Sequence, residues 1–219
     1  MARARWILLV LSFSCPSIVA AQADVTADIP LLQRADSVRI FLSETAEAVI
    51  EEFIDFACSD CRQFHSQMAD SLRALVEDED VTFILRVYPI PRLMRGYHAA
   101  EAAFCAGGLA GRSAFLAMVD RLFTYQTSWK PQVDPTPFFE AYAEDIGVPL
   151  AEFSNCLERD AMAPLIISDV RVASDFGVPG TPTFVFNKKD EFSGDEKFYG
   201  VQPMSRFKES IENVRQRQE

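Results

Sequence analysis

Cys58 and Cys61, three positions apart with Ser59 and Asp60 between them, are the residues of this chain best suited to covalent chemistry. Two cysteines at this spacing at the start of a helix can close a small disulfide ring. The first of them meets the free N–H groups and positive dipole end of the helix, which favour its thiolate. The thiolate is the nucleophile of disulfide exchange. The spacing therefore assigns Cys58 as the attacking thiol and Cys61 as the resolving one. Half of a zinc site has the same spacing. Here no second cysteine pair and no spaced histidine pair completes a metal cage, since His65 and His98 are isolated, and no metal is expected.

A strand must deliver this pair and a helix must carry it. Val49 to Ala57 reads as the strand. One phase holds Ile50, Glu52, Ile54 and Phe56, and the other holds Val49, Glu51, Phe53, Asp55 and Ala57. Apolar residues on both phases imply a central strand covered on both faces. Cys61, Phe64, His65, Met68, Leu72 and Leu75 then recur at helical spacing, and the acidic run 77–80 ends the helix as a solvated turn. His65, one turn past Cys61 on the core-facing stripe, reads as a structural histidine. Val81 to Val87 is the next strand, giving a β-α-β unit with a parallel pair. Glu52 has two readings: a desolvated carboxylate whose pKa rises on a covered face, or an edge-exposed acid beside Glu51.

The flanks complete this frame. Residues 24–36 are polar, lack periodicity and read as a lead-in, and Arg39 to Leu42 is a short edge strand. From Tyr97 to about Pro164 the periodicity is helical throughout. A long helix runs from about Asp160, read as its cap, to Phe176, and Gly177 closes it. Then come a strand Thr183 to Phe186, a short strand near Phe198 and a last helix from Pro203 to Val214. Neither end alone has enough strands for a stable sheet. The expected organisation is one sheet domain built from 37–96 and 165–219, interrupted by a helical domain at 97–164.

The chain of 219 residues is 49% hydrophobic and 24% charged, which is ordinary for a globular protein. Its net charge of −11 argues against a nucleic-acid partner, because that affinity comes from clustered Lys and Arg. No run of 18 apolar residues spans a membrane in the ordinary way. Residues 1–23 read as a secretory signal: Arg3 and Arg5, an apolar Trp6 to Phe13, then Ala21-Gln22-Ala23. Cleavage is expected after Ala23, with Ala21 as the alternative. Cys15 then departs, so five cysteines become four: Cys58, Cys61, Cys105 and Cys156. Arg3 and Arg5 leave with no acid, taking the charge to −13. An exported chain, periplasmic or secreted, meets conditions in which disulfides persist.

The stretch Glu52-Phe53-Ile54-Asp55-Phe56-Ala57-Cys58-Ser59-Asp60-Cys61-Arg62-Gln63-Phe64-His65 resembles the active-site segment of the DsbA-like branch of the thioredoxin superfamily. Gly177-Val178-Pro179-Gly180-Thr181-Pro182-Thr183-Phe184 resembles that family's cis-proline loop, and the block 97–164 its inserted helical domain. The resemblance covers roughly residues 37–216. It implies an α/β protein: a thioredoxin fold with an all-helical domain inserted in the middle of the chain. It implies a protein thiol–disulfide oxidoreductase without cofactor. Such a protein exchanges its Cys58–Cys61 disulfide with cysteines of exported proteins, and a redox partner at the membrane resets it. Pro182 would be cis and face the cysteine pair, with Gly180, Thr181 and Pro182 pairing to the substrate backbone as an added strand. Glu52 would be the family's buried acid, moving protons to and from Cys61. Cys105 and Cys156 would form the second, structural disulfide of larger relatives, if their Cβ atoms lie within about 4.5 Å. From the residues alone they could equally be two separate buried side chains.

One position departs from the oxidase pattern. Asp60 stands where the best-known oxidases carry histidine. Its negative charge opposes the Cys58 thiolate and so should weaken the oxidising power, although an acid in the first helical turn is itself favourable. A reductase or isomerase kept reduced by a partner is therefore an alternative. So is a non-catalytic thioredoxin-fold protein, either a binding module or a metal chaperone.

Overall fold

The structure, a computed structural model, describes residues 25–90 and 94–217. The secretory signal read at 1–23, with Cys15, lies outside the described residues. Five strands form one mixed sheet: β1 (Ile40–Phe41), β2 (Ala48–Ile54), β3 (Thr82–Val87), β4 (Thr183–Lys188) and β5 (Glu196–Tyr199). Their order across the sheet is β1-β3-β2-β4-β5. The central β2 runs parallel to β3 and antiparallel to β4. Strands β4 and β5 come from the far end of the chain, so both ends complete the sheet.

The two phases of β2 point to two cores. Ile50 shares one face with Phe184 and Phe186 of β4, under α2 (Ser59–Asp78) and α9 (Met204–Gln216), whose Phe64, Leu72, Leu75, Phe207, Ile211 and Val214 are buried with them. Each such side chain taken from water contributes roughly 1.5–3 kcal/mol. Phe53 and Val185 face the other way, against Ala173 and Phe176 of α8 (Ala163–Asp175).

Between β3 and α8 the chain builds α3 (Met94–Ala110), α4 (Arg112–Thr124), α5 (Gln126–Trp129), α6 (Thr136–Asp145) and α7 (Leu150–Glu158). Ala99, Ala100, Ala102, Ala103 and Ala106 are fully buried along α3. Their small side chains let neighbouring helices pack close. Cys105 of α3 and Cys156 of α7 form a disulfide with Cα atoms 6.0 Å apart. The core of this block continues into Ile54, Phe56, Cys61, Leu85 and Val87. The helical insert therefore rests directly on the sheet domain beside the cysteine pair.

A buried ionic network crosses this junction. Asp169 of α8 is wholly inaccessible. It accepts from Arg39 at 2.7 Å, from Arg86 of β3 at 2.9 Å and from the Val87 N–H at 2.9 Å. Arg86 also donates to Glu51 of β2.

Three expectations need correction. From Val25 on, the polar stretch read as a lead-in belongs to α1 (Val25–Val38), which packs Leu31, Leu32, Ala35 and Val38 on the helical core. So few apolar contacts leave only a weak period in the sequence, and tertiary packing supplies the helix. Asp160 is not a cap: it turns with φ +49°, and α8 begins at Ala163 behind Met162, with Pro164 in its first turn. Gly177 does follow the helix end, at φ +61°, a conformation glycine enters without the usual penalty. Finally, β2 stops at Ile54 and not Ala57, because Asp55 turns the chain.

Candidate active site

Asp55 makes the bend that places Cys58. Its carbonyl accepts the Cys58 N–H at 2.9 Å, and its carboxylate accepts the N–H groups of Ala57 at 2.7 Å and Ile90 at 3.0 Å. The side chain is buried, and that burial pushes its pKa up. Gly96 of α3 lies against it so closely that a Cβ there would sit 2.2 Å from Oδ1. The bend leaves Cys58 as the N-cap of α2, with φ −77° and ψ 130°.

Cys58 is half-buried and Cys61 is buried, and both are free thiols. The Cys58 thiol donates to the Thr181 carbonyl at 3.3 Å. The bond from Thr181 to Pro182 is cis. The structure thus brings the two distant motifs together. The Cys58 pKa falls to about 5: donation from the Cys61 thiol is the main cause, burial opposes it, and the Thr181 side chain and the N–H groups of Cys61 and Asp60 add to it. Thr181 Oγ1 is buried and has no hydrogen-bond partner among the described residues, which leaves it available to the thiolate. Burial, and then the neighbouring Cys58, push Cys61 well above the ordinary thiol value.

Ser59 and Asp60 are exposed. The Asp60 carboxylate stands in solvent, where its field is screened, while its backbone N–H favours the Cys58 thiolate. The Cys58 pKa is lowered with Asp60 in place.

Glu52 is buried, with Leu85 on one neighbouring strand and Phe184 on the other. The edge-exposed reading is therefore excluded. Burial alone raises its carboxyl to about 8. Glu52, Cys61 and His65 line one cavity. His65 leaves the buried stripe at its tip: its Nε2 donates to Asp120 Oδ1 at 2.8 Å, and its ring lies 4.8 Å from that of Phe123.

On the far side of Cys58, the Gly180 backbone lies under the half-exposed ring of Tyr199, and the Gly200 N–H donates to the Pro182 carbonyl at 2.8 Å. Sequence reasoning missed Gln126. This buried residue of α5 donates from Nε2 to the carbonyls of Phe56 at 2.7 Å and Cys58 at 2.8 Å. It also missed the role of Asp55. The signal for Asp55 was an acid on a covered strand phase; for Gln126 there was none. Among the described residues no group of three or more His, Cys, Asp or Glu is placed to hold a metal ion, and no helix is long and apolar enough to cross a membrane.

A family model described as Thioredoxin matches residues 42–202. Among solved structures, the chain is similar to α-DsbA1 of Wolbachia pipientis (TM-score 0.67, 18% identity, 80% of this chain and 89% of that one). It is also similar to DsbA2 of Pseudomonas aeruginosa (TM-score 0.65, 19% identity, 80% and 93%) and to BdbD of Bacillus subtilis (TM-score 0.63, 19% identity, 80% and 91%). Among curated proteins it is 28% identical over 174 residues to a Na(+)/H(+) antiporter NhaA of Herminiimonas arsenicoxydans. It is 30% identical over 146 residues to NhaA 3 of Salinispora tropica. The chain covers 26% and 20% of the lengths of those antiporters.

Proposed function

The chain belongs to the thioredoxin family, with a DsbA-like fold, and on that premise we propose that it is a protein thiol–disulfide oxidoreductase working as an oxidase of exported proteins. A substrate thiolate attacks Cys58 of the Cys58–Cys61 disulfide, and the electron pair leaves on Cys61. A second substrate thiolate then attacks the substrate sulfur of the mixed disulfide and releases Cys58. Oxidised substrate departs, and both cysteines are left reduced for a redox partner to reoxidise. Glu52 serves the proton of Cys61. Gly180, Thr181 and Pro182 hold the substrate backbone, and the Cys105–Cys156 disulfide holds the insert in shape. The periplasm, reached through the signal at 1–23, is the compartment this chemistry needs.

The observation that carries the reading is the supported Cys58 thiolate, with a pKa of about 5 beside the cis-proline loop. A stabilised thiolate stabilises the reduced form, which makes the disulfide form oxidising. That favours oxidase over reductase, against the expectation drawn from Asp60. Two experiments test it. Cys61→Ser should accumulate a mixed disulfide with a dithiol peptide through Cys58, and absence of the adduct removes the activity. A reduction potential less negative than about −200 mV supports the oxidase; one near about −270 mV assigns the reductase.

A further inference from the structure

The cavity behind Cys61 lies between α2, the β1–β3 edge and α4, and holds about 90 Å³. Most of its wall is apolar, with Phe41, Phe83, Leu116 and Val119 among the lining residues. Its polar side chains are Glu52, Cys61, His65 and Arg73. Glu52 and Cys61 are buried, whereas the His65 and Arg73 side chains are 23% and 53% exposed. The cavity therefore has a closed inner end and an open outer one. Cys61 and His65 stand one turn apart on α2, on the same face. Across the sheet Glu52 meets Leu85 and Phe184, so neither neighbouring strand passes a proton onward.

We infer that this cavity is the path by which protons reach and leave the buried Cys61 and Glu52, with His65, oriented by Asp120, as its station at the surface. The inference rests on the thiol exchange proposed above. When a substrate thiolate breaks the Cys58–Cys61 bond, Cys61 leaves as a thiolate buried away from bulk solvent. Glu52 gives it a proton and becomes a carboxylate, itself costly at that depth. The cavity has room for about three waters, which connect Glu52 to the imidazole. His65 delivers the replacement proton and recovers one from bulk solvent. Reoxidation runs the same path in reverse. The ionisable groups facing His65 are Glu52 of β2, Asp120 of α4, and Cys61 and Arg73 of α2, with Asp60 and Arg62 of α2 on the solvent side. The bond to Asp120 occupies Nε2 and leaves Nδ1 for the exchange.

The test follows the rate at which the disulfide form oxidises a dithiol peptide, as a function of pH. In His65→Gln the rate above pH 7 should fall by about a hundredfold, the lower end of the range for a lost proton-transfer group. Added imidazole should restore it. Asp120→Asn should give a smaller loss of the same shape, and carries the test if His65→Gln does not fold. Alkylation of Cys58 in the reduced protein needs no proton at Cys61 and should keep its pH midpoint in both variants. A His65→Gln profile that overlays wild type, or a loss that imidazole does not restore, overturns the path. A wild-type protein that oxidises no dithiol at any pH overturns the assigned activity and the path together, a result distinct from an unchanged variant.

Discussion

The side-chain amide of Gln126 donates to the carbonyl of Cys58 at 2.8 Å, so the helical insert holds the backbone of the candidate nucleophile directly. The same amide nitrogen donates to Phe56 at 2.7 Å, and the Cys58 carbonyl also accepts the Arg62 N–H at 3.2 Å. The insert thus does more than cover the sheet: it fixes both sides of the turn that starts α2. Gln126→Ala strands a buried carbonyl and should cost about 1–3 kcal/mol. It should also raise the pH midpoint for alkylation of Cys58, because the N-terminal turn of α2 loosens. Gln126→Glu should be worse, since it turns carboxylate oxygens toward two carbonyls. Urea denaturation and alkylation rates check both, and an unchanged Gln126→Ala protein would show that the clamp is idle.

Thr181 carries a buried hydroxyl without a hydrogen-bond partner among the described residues, beside the sulfur that its carbonyl contacts, and that hydroxyl favours the Cys58 thiolate. In the reduced protein, alkylation of Cys58 should have a midpoint near pH 5, and Thr181→Val should move it upward. The folded pKa lies below the unfolded thiol value. The thiolate therefore stabilises the reduced fold fully above the unfolded value of about 8.5, and that stabilisation is lost as pH falls through about 5. Between those limits the stability of the reduced form relative to the oxidised form should rise with pH. Denaturation of the two forms at pH 5 and pH 8 measures it; a gap that stays flat or narrows contradicts the assignment.

Much of this site was legible because its parts are local. Cys58 and Cys61 lie between a two-phase strand and an amphipathic helix, and each feature has a period that can be counted. Glu52 was visible as an acid on a covered phase, although burial by Leu85 and Phe184 had to be seen to choose between its two readings. Gln126 was illegible, since a lone amide in a helical block has no period and its partners lie 68 and 70 positions away. The same holds for α1: with Leu31, Leu32, Ala35 and Val38 as its described apolar contacts, the helix forms by packing on α3. Asp160 misled because acids favour both helix caps and the left-handed turn it occupies.

Glu52 should make stability depend on pH in the opposite sense to Cys58. Its folded pKa of about 8 lies above the ordinary carboxylate value, so the neutral form is the one the fold accommodates. The contribution is present below the unfolded value and lost as pH rises through about 8. In the oxidised protein, where Cys58 and Cys61 do not titrate, Glu52→Gln should match wild type near pH 4. By pH 9 it should exceed wild type by on the order of 4 kcal/mol. Equal stability of the two proteins at pH 9 would place a charged Glu52 in solvent, against its burial.

The Cys105–Cys156 bond closes a loop between residues 51 positions apart. Loop entropy for that length gives about 4 kcal/mol, and native disulfides typically contribute about 2–4. The double variant Cys105→Ala, Cys156→Ala should lose stability in that range while keeping the Cys58 alkylation midpoint, since the described hydrogen bonds that set the turn at Asp55 come from neither residue. A shifted midpoint would mean that the two sites are coupled through the shared core.

Asp169 is a costly residue to remove. Three donors converge on it, from Arg39, Arg86 and Val87, and the carboxylate is fully inaccessible. Asp169→Ala leaves the nearly buried Arg39 with Asp36 as its one carboxylate partner among the described residues, beside the Leu85 carbonyl, and leaves Arg86 to Glu51. Breaking such a buried set by removing one partner typically costs about 3–5 kcal/mol. Replacing the set with apolar residues (Arg39→Met, Arg86→Met and Asp169→Leu, with Glu51→Leu to avoid an orphan acid) should recover most of that loss, because the desolvation cost of the charges goes with them. Salt separates this network from surface pairs. Buried charges are poorly screened, so raising NaCl to about 1 M should leave the difference between wild type and Asp169→Ala nearly unchanged in urea denaturation. A difference that shrinks with salt would mean that the network is open to solvent.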